Sequence, residues 1–464
     1  MKKIIILFLC LYGSTIIGQE SGNVSKPIVD KRIELLSIAF RLAESPEYSS
    51  EVFSLYTNRI EAYYSEFKDH ELIEFIKKIR QKDGVGYDAV MKMAVHLDED
   101  LNPRIEFNEK IPEVRWGRKN AYEFVGLLKD FYHETRTKEF FENNEELYAE
   151  ASERFLPVYE MLDEKWYTDF YGNEPREKFI IINGLGNGGG NFGASVELPG
   201  GKKEIYAIMG TWNTDAEGMV KFPVEAYFST LLHEFNHSFV NELLKNKEES
   251  FRESAEIIFE VVKEEMKNGA YGSWQTMINE ALVRAAVIKY MKDHSFPEDQ
   301  ISLEISEQRN RGFIWIEDLV SELEFYDKHR AQFSTLEDYF PKLAEAYGNY
   351  AVNIQKYVEE ERQSQAKFVS ITEFENGSEN VNPNLKQISL NFDKPFRGAN
   401  FIRPGNERRF PTFTNLRYSE DRKTVILDWE LEEDMEYEFF LIGISSKTES
   451  SPVSEDFPIR FSTR

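Results

Sequence analysis

The run Pro223–Lys245 reads PVEAYFSTLLHEFNHSFVNELLK. Proline suits a first helical turn, and the apolar residues that follow recur at helical spacing, so an amphipathic helix is expected from Pro223 to about Lys247. Inside it, His233-Glu234-Phe235-Asn236-His237 sets two imidazoles four positions apart. At 3.6 residues per turn they share one face, one above the other. Two imidazoles so placed can hold one zinc ion, and Glu234, next to the first, can reach a water on that ion as a general base. His233 and His237 are therefore expected metal ligands, Zn2+ the expected cofactor and Glu234 the expected catalytic residue. The plainer alternative is a polar helix face that binds nothing.

A tetrahedral zinc that keeps one position for water needs a third protein ligand. No histidine lies between His237 and His294, so a third histidine close downstream is excluded. His294 and His329 remain, as do carboxylates on following helices: Glu253, Glu256, Glu260 and Glu280. The two segments His233–His237 and Met277-Ile278-Asn279-Glu280-Ala281-Leu282, in that order, resemble the gluzincin metallopeptidases of the thermolysin-like clan. The resemblance implies that Glu280 completes the site from a second helix. It also implies an oxyanion-stabilising Tyr or His, for which Tyr271, His329, Tyr347 and Tyr350 are all eligible. Arg284, one turn beyond Glu280, either pairs with it or binds a substrate carboxylate. Asn241 and Thr230, about one turn either side of the histidine pair, are candidates for holding an imidazole in one tautomer.

Upstream, Lys178–Ile182, Phe192–Leu198 and Lys203–Met209 read as short strands, separated by Gly184–Gly193 and Pro199–Gly201. The glycine-rich run Asn183–Asn191 lacks the Lys-Ser/Thr of a phosphate loop and is followed by a strand, so a flexible connection is expected. Zincins hold an extended substrate against an edge strand. By that resemblance Phe192–Leu198 is the substrate-bearing strand, with Phe192, Gly193 and Ala194 as binding residues.

Helical periodicity dominates from Val29 to about Gln363, including long stretches at Asn120–Phe141 and Glu145–Phe170, Glu249–Lys267 and Ser273–His294. From Phe368 the period changes to two. Ile388/Leu390/Phe392, Val425/Leu427/Trp429, Tyr437/Phe439/Leu441 and Phe457/Ile459/Phe461 alternate between turn-rich segments, as in a sandwich. The expected fold class is α+β: a mainly helical zincin-type metallopeptidase domain with a small sheet over 29–363, then an all-β sandwich over 364–464, with Glu359–Ala366 as linker.

Arg32–Ile38, Tyr63–His70, Gly86–Val90 and Ala94–Leu97, continuing through the HEFNH and Asn279-Glu280-Ala281 segments, resemble a secreted bacterial zincin-like family known only as a domain of unknown function. The similarity spans roughly residues 30 to 360. Asn382-Pro383, Ile388–Phe392 with Asp393-Lys394-Pro395, Tyr437–Leu441 and the terminal Phe461-Ser462-Thr463 resemble bacterial Ig-like modules of secreted enzymes. Such a module implies docking to protein or glycan.

Lys2 and Lys3 precede an apolar Ile4–Leu11 that is too short to span a bilayer. Residues 1–18 therefore read as a secretory signal peptide and 19–28 as a flexible tail. The single Cys, Cys10, lies inside that apolar run, so the exported chain is expected to hold neither disulfide nor thiolate ligand. The 464 residues carry 82 acidic against 56 basic side chains, a formal net charge of −26, which disfavours nucleic acid and anionic lipid as partners. No later apolar run is long enough to cross a membrane. These readings converge on an exported zinc-dependent metallopeptidase acting on a peptide or protein substrate. Alternatives are a non-catalytic zincin fold that binds peptide or envelope polymer, and a zinc amidase acting on cell-wall material.

Overall fold

The computed structural model describes residues 23–173, 177–245, 247–269, 271–364, 366–395, 402–405, 408–441 and 457–464. The segment read as a signal peptide lies outside them. The chain is mixed α and β, about half helical, with several small sheets and a C-terminal β region. It divides into two units: the described parts of Met1–Glu164 and Pro175–Leu231, and the described parts of Lys165–Glu174 and Leu232–Arg464. The interval 29–363, expected as one domain, contributes to both, and residues 364–464 group with the second.

The first unit is built on α1 (Lys31–Leu42), followed by α2 (Ser54–Tyr64), α3 (Glu71–Asp83), α4 (Asp88–Val95), α5 (Gly117–Glu134), α6 (Thr137–Asn143) and α7 (Glu145–Tyr159). Asp30 caps α1, its carboxylate accepting from the Arg32 amide (2.8 Å). All but the first two residues of α1 are buried, the polar Glu34, Ser37 and Arg41 among them. The stretch Asn120–Phe141, expected as one helix, breaks at Arg136, whose φ of 52° is left-handed. Glu145–Phe170 likewise divides into α7 and α8 (Glu164–Tyr171). Periodicity alone does not register such breaks, because the apolar face resumes in nearly the same phase.

The sheet of this unit comprises β1 (Lys178–Asn183), β2 (Phe192–Leu198) and β3 (Lys202–Met209) in the order β1-β3-β2. β3 is central, parallel to β1 and antiparallel to β2, with Gly200 and Gly201 at φ 88° and 77° in the β2–β3 turn. β2 is thus an edge strand among the described residues. Within the segment read as a tail, Val24 and Ile28 form parallel bridges to Phe179 and Ile182 of β1. A two-residue pair, β4 (Asn213–Thr214) and β5 (Val220–Lys221), precedes the next helix.

The glycine-rich connection between β1 and β2 is not the flexible link expected. Asn183–Gly188 is buried, and Glu34, inside α1, accepts from the Leu185 amide (2.7 Å) and the Gly186 amide (3.0 Å). A Cβ at Gly186 would stand 3.1 Å from both Glu34 Oε2 and Ser37 Cβ, so glycine is what lets the loop close on the helix. Two of the amides that a bound anion would use are therefore taken by the protein's own carboxylate.

Next comes α9 (Val224–Leu244), whose first turn is anchored by the Pro223 carbonyl accepting from the Ala226 (3.0 Å) and Tyr227 (3.1 Å) amides. The second unit continues with α10 (Arg252–Asn268), α11 (Trp274–Asp293), α12 (Glu298–Asn310), α13 (Ile316–Lys328) and α14 (Leu336–Ser364). The interval read as a linker is largely the last turns of α14. Phe235 and Phe239 of α9 pack against Tyr167 (ring centroids 4.4 Å) and Tyr171 (4.5 Å) of α8, and Tyr167 in turn meets Tyr290 of α11 (5.7 Å). The Tyr171 hydroxyl donates to the buried Asn236 (2.7 Å). This aromatic cluster takes one face of α9 and leaves the His233/His237 face free of it.

The C-terminal β region has two sheets. The first is β6 (Phe368–Ile371), β7 (Gln387–Phe392), β10 (Thr424–Glu430) and β9 (Thr412–Tyr418), in that order; the second is β12 (Phe457–Ser462), β11 (Glu436–Leu441) and β8 (Ile402–Pro404). Every pairing is antiparallel. Their facing residues share one core: Ile388, Leu390 and Phe392 with Val425, Leu427, Trp429, Tyr437, Phe439, Leu441, Ile459 and Phe461. These are the alternating positions expected from the sequence, save Phe457, which is only partly buried. The buried Trp429 ring donates its Nε1–H to the Leu385 carbonyl (3.0 Å), and the Tyr437 hydroxyl accepts from the Glu432 amide (2.7 Å). Tyr437→Phe should keep the packing and lose that bond, lowering stability by about 1 kcal/mol, readable as a shifted urea midpoint with unchanged slope.

Candidate metal centre

Helix α9 presents His233, Glu234 and His237 part-exposed, between buried Leu231, Leu232, Phe235 and Asn236. Helix α11 starts at Ser273, whose hydroxyl accepts from the Thr276 amide (3.2 Å), and is buried on most of its circumference. Glu280, on this helix, approaches the two histidines. The Nε2 atoms of His233 and His237 stand 3.2 Å apart, with Glu280 Oε2 3.6 Å from the first and Glu280 Oε1 3.5 Å from the second. Among the described residues this is the one group of three or more His, Cys, Asp or Glu side chains placed to hold a metal ion.

The expected ligands thus come together, and the rivals do not. Glu253, Glu256 and Glu260 lie exposed on α10, where Arg252 and Lys263 pair with the latter two. His294 caps α11 and stacks on Tyr290 (3.8 Å), and His329 stacks on Phe325 (3.9 Å). Asn241 Oδ1 lies 3.4 Å from His237 Nδ1 and accepts from Asn279 Nδ2 (2.8 Å). An acceptor there favours the tautomer with its proton on Nδ1, which leaves the Nε2 lone pair toward Glu280.

Burial, then the charges of Arg284, His237 and Arg311, hold His233 well below the ordinary imidazole range, so its ring is neutral at pH 7. Burial pushes the Glu234 carboxyl up, with the Glu280 charge adding to it and His237 and Arg284 opposing. Among the described residues no hydrogen-bond donor engages the Glu234 carboxylate. It is available to a water beside the cluster.

Arg284 is not the open substrate contact considered from the sequence. Its side chain is 7% exposed, and its terminal nitrogens donate to Glu280 Oε2 (3.0 Å), the Tyr271 hydroxyl (2.5 Å) and Gln308 Oε1 (2.6 Å). Of the four residues eligible as oxyanion partners, Tyr271 alone bonds to a neighbour of the cluster. Tyr347 and Tyr350 are buried on α14, 2% and 4% exposed. Gln308 was not legible beforehand, because an amide on an ordinary amphipathic helix carries no motif. Phe192, Gly193 and Ala194 lie on the edge strand of the first unit, whereas the His–His–Glu group and Arg284 belong to the second.

A mixed α and β chain whose described residues hold one candidate metal group, joining two helices, is the class of protein defined to this point. Residues 28–346 match the family described as "Domain of unknown function (DUF4932)", and the chain belongs to that family. No curated protein matches it. A solved structure, "Structure of surface layer protein SbsC, domains 1-6", is similar at 11% identity over 54% of this chain, with a TM-score of 0.15. This chain spans 34% of that one, and so loose a likeness carries no structural argument.

Proposed function

We propose that this protein is a zinc-dependent metallopeptidase of gluzincin type, with His233, His237 and Glu280 as metal ligands and Glu234 as general base. The observation that carries the reading is the approach of the two Nε2 atoms to 3.2 Å, each with one Glu280 oxygen at 3.5–3.6 Å and one donor atom from each residue within 4.8 Å of the others. Tetrahedral zinc with bonds of about 2.0–2.1 Å sets its donors about 3.3 Å apart, which the imidazole pair already matches and a turn of the Glu280 carboxylate would complete. Two imidazoles and one carboxylate are also the ligand chemistry of a hydrolytic rather than a thiolate-rich structural site. When bound there, zinc supplies a Lewis acid that acidifies water and polarises a carbonyl. Glu234 would accept a proton from a water beside the cluster and afterwards give it to the leaving amine.

The reading extends to the other regions of the chain. The β region is read as an Ig-like sandwich: its strand order β6-β7-β10-β9 and β8-β11-β12 reproduces the ABED and CFG sheets of that fold. Tyr437 near the start of β11, bonded back to Glu432, matches the tyrosine corner, with Phe439 where an antibody domain has its second Cys. Export, a peptide substrate and docking through this module belong to the same proposal and rest on the sequence patterns alone.

The test is metal content and affinity. Protein prepared with excess zinc and then dialysed should retain about one zinc per chain, and His237→Ala should weaken binding by at least ~100-fold, as expected when one of three ligands is removed. Protein that retains no zinc, or an affinity untouched in His237→Ala, would falsify the assignment.

A further inference from the structure

The guanidinium of Arg284 joins parts of the second unit that the proposed metal chemistry does not by itself connect. One nitrogen, Nη2, donates both to Glu280 Oε2 (3.0 Å) and to the Tyr271 hydroxyl (2.5 Å). The other, Nη1, donates to Gln308 Oε1 (2.6 Å) on α12, and the Gln308 amide donates in turn to Glu304 Oε1 (2.5 Å). The cation also lies 5.1 Å from the Phe313 ring centroid and 5.6 Å from that of Tyr271, two rings that are themselves 5.9 Å apart. Arg284 is thus held by three acceptors and beside two aromatic rings, at 6% exposure. A planar cation that never loses its proton, fixed in this way, dictates the orientation of whatever it touches.

We infer that Arg284 is the positioning residue of this site, setting the Glu280 carboxylate against the two histidines and the Tyr271 hydroxyl beside it. This rests on the metal reading above and adds to it a residue that touches neither metal nor substrate. A glutamate ligand ordinarily turns freely about its last torsion. Here the Oε2 bond holds the carboxylate with Oε1 toward His237 and Oε2 toward His233. Tyr271 accepts from Arg284, so its own proton is not spent on the guanidinium, and no other acceptor for it is present among the described residues. That O–H is linked to Glu280 through the single nitrogen Arg284 Nη2, and it comes from the segment before α11. Gln308 extends the same hold to α12, so the orientation of Glu280 depends on a helix that supplies no ligand.

The full chain carries the test through Co2+, whose visible absorption reports ligand geometry directly. The unmodified protein should bind one Co2+ with an intense four-coordinate spectrum. Arg284→Met, folded by circular dichroism, should shift that spectrum and weaken zinc binding ~10- to 100-fold in competition with a chromophoric chelator, the range for outer-shell partners. Arg284→Lys, which keeps the charge but not the fork, should fall between the two. Tyr271→Phe should leave zinc affinity within about two-fold, because it loses a donor to substrate and not a metal contact. A folded Arg284→Met with the original spectrum and affinity overturns the inference while leaving the metal site standing. An unmodified protein that binds neither Co2+ nor Zn2+ removes the metal reading itself and the inference with it. Should Arg284→Met fail to fold, Gln308→Ala loosens the same guanidinium from a position off the cluster, and an unshifted Co2+ spectrum there also overturns it.

Discussion

Glu234→Gln is expected to abolish hydrolysis, lowering the rate about 10²- to 10⁴-fold, while the protein still binds about one zinc. The substitution keeps side-chain volume and removes only the ability to accept a proton. Glu234 stands directly after His233 and three residues before His237 on α9, and no hydrogen-bond donor engages it among the described residues. A carboxylate pushed up by burial and left without a partner is poorly explained by stability. It is well explained as the acceptor for a water's proton. The measurement is a peptide-library digest with the unmodified protein, followed by kcat/KM on a cleaved peptide for both proteins and zinc content for each. Equal rates for the two would place the proton acceptor elsewhere. Loss of zinc together with activity would make Glu234 a structural member of the site.

Glu34→Gln should flatten a pH dependence of stability that the unmodified chain shows between about pH 4.5 and 7. Glu34 is fully buried, and its pKa is raised from 4.5 to about 7. Burial is the main cause; the amides of Leu185 and Gly186 and the Tyr56 hydroxyl oppose it, and the Asp30 charge adds to it. The Tyr148 hydroxyl, 2.9 Å from that of Tyr56, completes the surroundings without supplying a cation. A carboxyl whose folded pKa lies above its unfolded one binds its proton more tightly when folded. Its contribution is therefore greatest below pH 4.5 and is lost as pH rises to about 7, by at most about 3 kcal/mol. Urea unfolding at intervals of half a pH unit, unmodified protein minus variant, should trace that loss. A flat difference would mean that water or a rearranged loop solvates Glu34. Hydrogen exchange at Gly184–Gly188 would register the same event locally.

Much of the candidate site could be read from the chain alone, for a simple reason. His233, Glu234 and His237 lie on a single helix, where the 3.6-residue repeat converts sequence spacing directly into geometry. The alternating core of the β region was legible for the analogous reason: Leu390, Leu427, Phe439 and Ile459 follow a period of two wherever a sheet has one buried face. Glu280 needed a resemblance to be preferred over Glu253, Glu256 and Glu260, since periodicity says nothing about which of two helices will meet a third. The break at Arg136 and the continuation of α14 through Glu359–Ser364 are not legible in the sequence, because local pattern scarcely distinguishes a helix from a helix with one left-handed residue, or a charged last turn from a linker.

What the sequence determined by itself was therefore whatever is encoded within one element: the imidazole pair with its adjacent carboxylate, the strand periodicity after Phe368 and the change of secondary structure around Lys178. The tertiary structure alone decided which partners each side chain meets. It turned Arg284 from a possible substrate contact into a buried tie among Glu280, Tyr271 and Gln308. It also spent the glycine-rich loop's amides on Glu34, a residue some 150 positions away in the chain (151 to Leu185). The physical reason is the same in both cases. A buried charge must find its partners wherever the fold brings them, and their distance along the chain has no bearing on that energy.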